Sequence, residues 1–251
     1  MSLIKVNNNT FNILELNKEA SETIVMIHGI FTNMAVYYFS IAQELAKKYH
    51  VVLYDLKGHG LSETPLSGYD MSSMSDDLRG ILSTLGLSKV HLTGYSFGGL
   101  IALYTAIHYP QIIDKLIVVE SADFNDGSSR PLLEGYDKDF LDQYLEGLSV
   151  STSLAASQRK INKSHQQVKF LFEQTTLKED LIRDLDLFDK IENNPIPNET
   201  LLLYANRTDC DNAAKFLQKH IKKSSLFYGK GDHNIPVQNP SWIVEKMLDF
   251  L

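Results

Sequence analysis

Short runs of apolar, often β-branched residues alternate along the chain with stretches whose apolar positions recur every three or four residues. The runs are Ile24–Ile27, Val51–Tyr54, Val90–Leu92, Leu116–Val119, Leu201–Tyr204 and Leu226–Tyr228. Apolar runs of this length fit strands buried on both faces of a parallel sheet. Helical spacing appears between them at Ile41–Lys48, Met74–Leu85, Leu100–Tyr109, Ala213–Ile221 and Trp242–Leu251. Pro110 closes one of these helices, and Asn239-Pro240 opens the last with a capping residue and a proline in the first turn. Leu3–Val6 and Phe11–Leu16 flank an Asn7-Asn8-Asn9 turn, which predicts an opening hairpin. Alternation of strands and helices in this manner predicts an α/β fold built on a doubly wound sheet.

One stretch breaks the rhythm. From about Asn125 to Pro197 there is no strand candidate, only helical patterning. Val168, Leu171, Phe172 and Thr175 share one helical face, as do Leu177, Leu181, Leu185 and Phe188. Pro195-Ile196-Pro197 ends the stretch. The expectation is a core domain made of residues 1–124 and 198–251, with a helical insertion at 125–197 lying over the sheet. At 251 residues, folding hides roughly 70% of the extended chain's surface, enough for one large core.

The formal net charge of −7 argues against a nucleic-acid partner. Lys215, Lys219, Lys222 and Lys223 fall at helical spacing and read as one solvated face. Cys210 is the only cysteine, so no disulfide forms within the chain and a reducing compartment is compatible. The first residues lack the apolar core of a signal peptide, and no apolar run approaches membrane-spanning length. A cytoplasmic protein with no membrane span is therefore expected.

Candidate chemistry centres on Gly94-Tyr95-Ser96-Phe97-Gly98, between the strand at Val90–Leu92 and a helix over Phe97–Tyr109. A serine on a sharp strand-to-helix turn has its hydroxyl pushed clear of the backbone, and flanking glycines avoid collisions with the neighbouring elements. The amides that open the helix point at negative charge developing beside that hydroxyl. His28-Gly29-Ile30 follows another strand directly, and its glycine frees the next amide, so Ile30 and Phe97 are the candidate oxyanion donors. His28 itself precedes the turning glycine and reads as a buried structural histidine. His233, in Gly231-Asp232-His233 after the last strand, is the candidate base for Ser96. The acid that orients it is expected at Asp209, after the strand Leu201–Tyr204, with Asp211 and Glu120 as alternatives.

Taken together, His28-Gly29, Asp55-Leu56-Lys57-Gly58-His59-Gly60-Leu61-Ser62, the elbow extended by Gly99, and Gly231-Asp232-His233 resemble the α/β-hydrolase fold superfamily over nearly the whole chain. The resemblance implies an eight-stranded, mostly parallel sheet with a helical cap inserted after the sixth strand. It also implies a Ser…acid…His order, here Ser96…Asp209…His233, and a serine hydrolase acting on a small-molecule ester or thioester through an acyl-enzyme. No cofactor, metal or nucleotide is implied. Two departures stand out. Ala205 replaces the glycine that usually starts the acid loop, and that loop is one residue longer than the commonest form. Lys57 replaces the usual arginine of the Asp55–Ser62 turn, a structural change. Phe31, Tyr37, Tyr95 and Phe124 are candidates either for an apolar acyl pocket or for the core.

The resemblance leaves two rival readings. The elbow with Gly99 also resembles that of menaquinone-synthase-like lyases, which use the same triad for proton abstraction, but these carry an arginine where Leu100 stands. Receptors of the superfamily keep an intact triad without turnover. Epoxide hydrolases and haloalkane dehalogenases need a carboxylate where Ser96 stands.

Overall fold

The computed structural model of the chain describes residues 1–123 and 158–251, with the side chains of 158–165 left out. Its sheet has eight strands in the order β1-β2-β4-β3-β5-β6-β7-β8. β1 (Ser2–Val6) and β2 (Asn9–Leu16) form the expected antiparallel hairpin, pairing Val6 with Asn9. Its two turn residues, Asn7 and Asn8, take φ of 48° and 68°. Asparagine tolerates this left-handed region, and a turn with both central residues there matches the twist of the strands it joins. β2 pairs antiparallel with β4 (His50–Tyr54). All remaining pairs, through β3 (Thr23–Ile27), β5 (Val90–Tyr95), β6 (Ile113–Val119), β7 (Glu199–Ala205) and β8 (Ser224–Gly229), are parallel.

Every residue of β3 and β4 is buried, as unbroken apolar runs demand. Side chains alternate between the two faces. Val25, Ile27, Val52 and Leu92 join one cluster with α3 (Met71–Thr84) and α4 (Phe97–His108). Ile24, Met26, Val51 and Leu53 join the other, against α2 (Ile41–Leu45). α3 starts three residues ahead of the expected Met74, because the Asp70 carboxylate accepts from the Ser73 amide at 2.9 Å and caps the helix there. α1 (Ala35–Tyr38) escaped the sequence reading because it is too short to show a period.

The described part of the expected insertion carries α5 (Gln158–Gln174), α6 (Leu177–Arg183) and α7 (Leu187–Asn193). Val168, Leu171, Leu177, Leu181 and Phe188 are buried, on the faces their spacing marks out. Hydrogen bonds dock these helices on the segment after β4, among them Gln167 Nε2 to the Gly58 carbonyl (2.7 Å), the Thr176 amide to the Leu66 carbonyl (2.9 Å), and the Tyr69 and Met71 amides to the carboxylates of Asp180 (2.9 Å) and Asp184 (2.6 Å). Phe124 and the expected start of the insertion at 125 lie outside the described residues. β7 is followed by α8 (Asp211–His220), and β8 by α9 (Ile235–Gln238) and α10 (Pro240–Phe250). α9, like α1, is too short for periodicity to reveal.

Candidate active site

Ser96 links β5 directly to α4 and holds φ 53°, ψ −118°, a conformation that is strained for a residue with a side chain. The local sequence makes this turn possible. A β-carbon on Gly94 would stand 2.2 Å from the Gly98 carbonyl oxygen, and one on Gly98 would stand 2.3 Å from that of Ile27. Both clashes are with backbone, so glycine is obligatory at each position. Gly29 passes so close that its β-carbon would lie 3.1 Å from Ser96 Cβ. The loop after β3 therefore runs alongside the serine. The amides of Ile30 and Phe97 donate no hydrogen bond among the described residues.

That loop is held from behind. Asp55 accepts from the Met34 amide (2.9 Å) with one oxygen, and from Asn12 Nδ2 (2.8 Å) and the Leu61 amide (2.9 Å) with the other. His28 is structural: Nδ1 donates to the Gly29 carbonyl at 2.7 Å and Nε2 accepts from the Leu56 amide at 2.9 Å. Burial, aided by the neighbouring His59, holds its pKa down at about 3, so it stays neutral. Lys57, at the position of the missing arginine, forms a buried ion pair with Asp77 at 2.6 Å.

His233 reaches across the strand ends. Its Nε2 lies 3.0 Å from Ser96 Oγ and its Nδ1 lies 3.2 Å from Glu120 Oε2. These partners fix the tautomer: Nδ1 carries the proton and donates to the carboxylate, while Nε2 accepts from the serine. Tyr95 holds the histidine from the sheet side, donating its hydroxyl to the His233 carbonyl at 2.9 Å with the two rings 5.4 Å apart. Burial opposes charge on the imidazole, but hydrogen bonds and charge from Cys210 and Glu120 outweigh it and raise the pKa above that of a free histidine.

The carboxylate on His233 is thus that of Glu120, and the expectation of Asp209 is corrected. Asp209 is exposed and makes no hydrogen bond to His233 among the described residues. The reason lies on either side of it. Thr208 turns inward to donate its hydroxyl to Glu120 Oε2 at 2.7 Å, and that hydroxyl accepts from the Cys210 amide at 3.0 Å. With Thr208 and Cys210 facing the site, the residue between them faces solvent. Asp211 is engaged elsewhere, by Tyr228 Oη at 2.6 Å and by Lys215. Glu120 is fully buried at the end of β6, with φ 50°. Its second oxygen accepts from the Ala205 amide. Three donors therefore satisfy a carboxylate that would otherwise stand in apolar surroundings.

Of the aromatics left open between pocket and core, two fall in the core. Tyr37 is wholly buried in the core on the α2 face of the sheet and donates to the Ile27 carbonyl at 3.3 Å. Tyr95 belongs to the same core and serves the histidine. Phe31 is half-buried with φ 63° and packs 5.4 Å from Phe172 of α5. It lines a small cavity of about 30 Å³ with Val168 and Leu171. Sequence reasoning missed Thr208 and Cys210. Their only signal was membership of the loop after a buried strand.

An eight-stranded sheet with a serine on its central strand-to-helix turn, and an imidazole and a carboxylate converging on it, defines a hydrolase architecture. A family model of the alpha/beta hydrolase fold matches residues 22–241, and the chain belongs to that family. A putative carbamate hydrolase from Pantoea ananatis is 32% identical over 110 residues, covering 43% of this chain and 40% of the relative. The chain spans less than half the length of this and other curated relatives it matches. Among solved structures, a meta-cleavage product hydrolase from Pseudomonas fluorescens superposes with a TM-score of 0.78 at 19% identity, covering 100% of this chain and 97% of that one. An enol-lactonase from Burkholderia xenovorans gives 0.73 at 16% identity, covering 99% of each chain. Likenesses at this identity show the fold. Among the described residues no helix is long and apolar enough to cross a membrane.

Proposed function

We propose that this protein is a serine hydrolase that cleaves a small carboxylic ester or thioester by way of an acyl-enzyme. Ser96 is the nucleophile, His233 the base and Glu120 the carboxylate that orients it. Supporting this above all is one observation: a single imidazole lies 3.0 Å from the serine hydroxyl and 3.2 Å from a fully buried carboxylate. His233 takes the serine proton as Ser96 Oγ attacks the carbonyl carbon, and Glu120 stabilises the imidazolium that forms. The amides of Ile30 and Phe97 receive the oxyanion, and loss of one such donor typically costs about 2.7–4 kcal/mol of barrier. The imidazolium then protonates the leaving group. In the second half, His233 activates a water that attacks the acyl-enzyme, and Ser96 leaves with its proton restored.

By their printed names one relative acts on a carbamate and one solved neighbour on an enol-lactone, itself a cyclic ester. Ester or thioester is our reading for this chain, as is the small-molecule substrate. A cytoplasmic setting belongs to the same proposal, since the one cysteine pairs with no other in the chain.

The test is Ser96→Ala, assayed on short and long p-nitrophenyl esters and on acyl-CoA thioesters, with fluorophosphonate labelling in parallel. The unmodified protein should turn over at least one substrate class and label at Ser96. The variant should lose labelling and at least about a thousandfold in kcat, with an unchanged melting curve. Turnover retained in Ser96→Ala would show that another residue carries the reaction.

A further inference from the structure

Beside the proposed triad stands a group that the reaction above does not use. Cys210 caps the start of α8, is buried, and lies with Sγ 3.9 Å from His233 Nδ1. One donor atom each from Glu120, Cys210 and His233 falls within 4.8 Å of the other two.

We propose that Glu120, Cys210 and His233 form a binding site for a thiophilic divalent cation, Zn²⁺ above all, and that its occupation switches the enzyme off. The switch rests on the hydrolase reading, but the site itself does not. Tetrahedral zinc, with bonds of roughly 2.0–2.3 Å to nitrogen, oxygen and sulfur, sets neighbouring ligand atoms about 3.3–3.7 Å apart. Separations here of 3.2 Å (Nδ1 to Oε2) and 3.9 Å (Nδ1 to Sγ) straddle that spacing. The third pair, a Glu120 oxygen and Cys210 Sγ, lies within 4.8 Å, so the donors share one ion once side chains draw this pair together by up to about an ångström. The donor chemistry also selects. A thiolate and an imidazole favour zinc and its neighbours, whereas magnesium and calcium require oxygen ligands. The His233 side chain is 43% exposed, so the imidazole is the solvent-facing member of a cluster whose other two members are buried. The Thr208 hydroxyl and the Ala205 amide already fix the Glu120 oxygens, the kind of outer support that orients metal ligands.

Inhibition follows from the tautomer. Zinc takes the Nδ1 lone pair, so the Nδ1 proton moves through solvent to Nε2. The Nε2–H then points at Ser96 Oγ and cannot accept the serine proton. Cys210 releases its thiol proton as the Zn–S bond forms, so binding to neutral His233 frees one proton per ion. Nothing is oxidised; the bonds of the chain that change are the Cys210 S–H, replaced by Zn–S, and the His233 N–H, which moves from Nδ1 to Nε2.

The experiment begins from protein stripped with EDTA. Calorimetric titration with Zn²⁺ should give one ion per chain, both in the unmodified protein and in Ser96→Ala, where hydrolysis plays no part. Cobalt(II) should produce a thiolate-to-metal charge-transfer band that Cys210→Ala and Cys210→Ser abolish. In p-nitrophenyl acetate hydrolysis, zinc should inhibit reversibly, with EDTA restoring the rate and Mg²⁺ without effect. Each cysteine variant, normalised to its own metal-free rate, should need at least tenfold more zinc for half-inhibition. Failure to bind one ion per chain, a cobalt band that survives Cys210→Ala, or equal zinc sensitivity in that variant overturns the site. Stoichiometric binding without loss of turnover overturns the switch. If no ester is hydrolysed at all, calorimetry and the cobalt band still decide the site, and only the hydrolase reading fails.

Discussion

Two neighbouring loops, one after β6 and one after β7, both carry acids toward the edge where Ser96 and His233 meet, yet only one delivers a carboxylate. Glu120 is the first residue past β6. Its amide is still bonded to the Leu203 carbonyl at 3.0 Å, as though the strand had not ended, and its side chain has nowhere to go but the site. The loop after β7 runs through Asn206, Arg207, Thr208, Asp209 and Cys210, and its first half is tied to the neighbouring loop. The Asn206 amide bonds the Gly229 carbonyl at 2.8 Å, the Gly231 amide bonds Asn206 Oδ1 at 3.1 Å, and the Arg207 amide bonds the Gly231 carbonyl at 3.2 Å. Beyond those anchors the chain is free to choose, and Thr208 and Cys210 take the inward places. A carboxylate placed one residue from a buried strand is committed to the site. One placed four residues out must compete for it, and here it loses.

The largest effect expected from this contrast comes from Glu120→Gln set against Asp209→Asn. The glutamine keeps the shape but removes the charge that favours the imidazolium and turns one of the two acceptor oxygens, both of which face donors, into an NH2. A fall in kcat of about 10³–10⁴ is expected, while Asp209→Asn should stay within about twofold. Equal losses in the two variants would erase the distinction between the loops. The pH profile adds a second reading of the same pair. Catalysis needs neutral His233, whose pKa is raised in the folded protein. The rate should therefore fall with decreasing pH already above the ordinary histidine value of about 6.5. In Glu120→Gln the residual activity should show that limb displaced to lower pH, and in Asp209→Asn it should not move.

The fold and the serine were legible because their constraints are local. Gly94 and Gly98 are fixed by backbone atoms within 2.3 Å of where a β-carbon would sit, and such a requirement writes itself into adjacent positions. The strands were legible because both faces of the sheet are covered, which keeps their runs apolar. His233 could be read from the last strand and its glycines. The acid was not, because the choice depends on which way Thr208 and Cys210 face, and that is decided by hydrogen bonds to Glu120 and Gly231 from a different part of the chain. Tyr37 and Tyr95 stayed open between pocket and core for a related reason. An aromatic beside a motif can line a pocket or fill the layer beneath it, and only the packing of α2 and α10 against the sheet distinguishes the two.

A smaller effect should separate the inward residues of the β7 loop from the outward one. Thr208 donates to Glu120 Oε2 at 2.7 Å, and hydrogen bonds to charged groups contribute roughly 1.5–3 kcal/mol. Thr208→Val keeps the branched shape and removes the donor. About a tenfold or greater drop in kcat is expected, with KM little changed, and Thr208→Ser should restore most of it. A threonine that only packs would give the opposite ranking, with valine tolerated and serine not.

The smallest effect concerns the histidine rather than the acid. The Tyr95 hydroxyl donates to the backbone carbonyl of His233 at 2.9 Å, not to the ring nitrogen that Glu120 bonds. A neutral hydrogen bond of this kind contributes about 0.5–1.5 kcal/mol. Tyr95→Phe leaves the ring against the imidazole and removes only that tether, so kcat should fall about two- to tenfold. The acid limb of the pH profile should stay in place, because no charge near Nδ1 changes. KM should also hold steady across acyl chain lengths. A KM that rose for long acyl chains alone would return Tyr95 to the substrate pocket. A shifted acid limb would mean that the loop carrying His233 moves relative to Glu120 once the tether is cut, so that the β6 carboxylate depends on more than its own strand for its place.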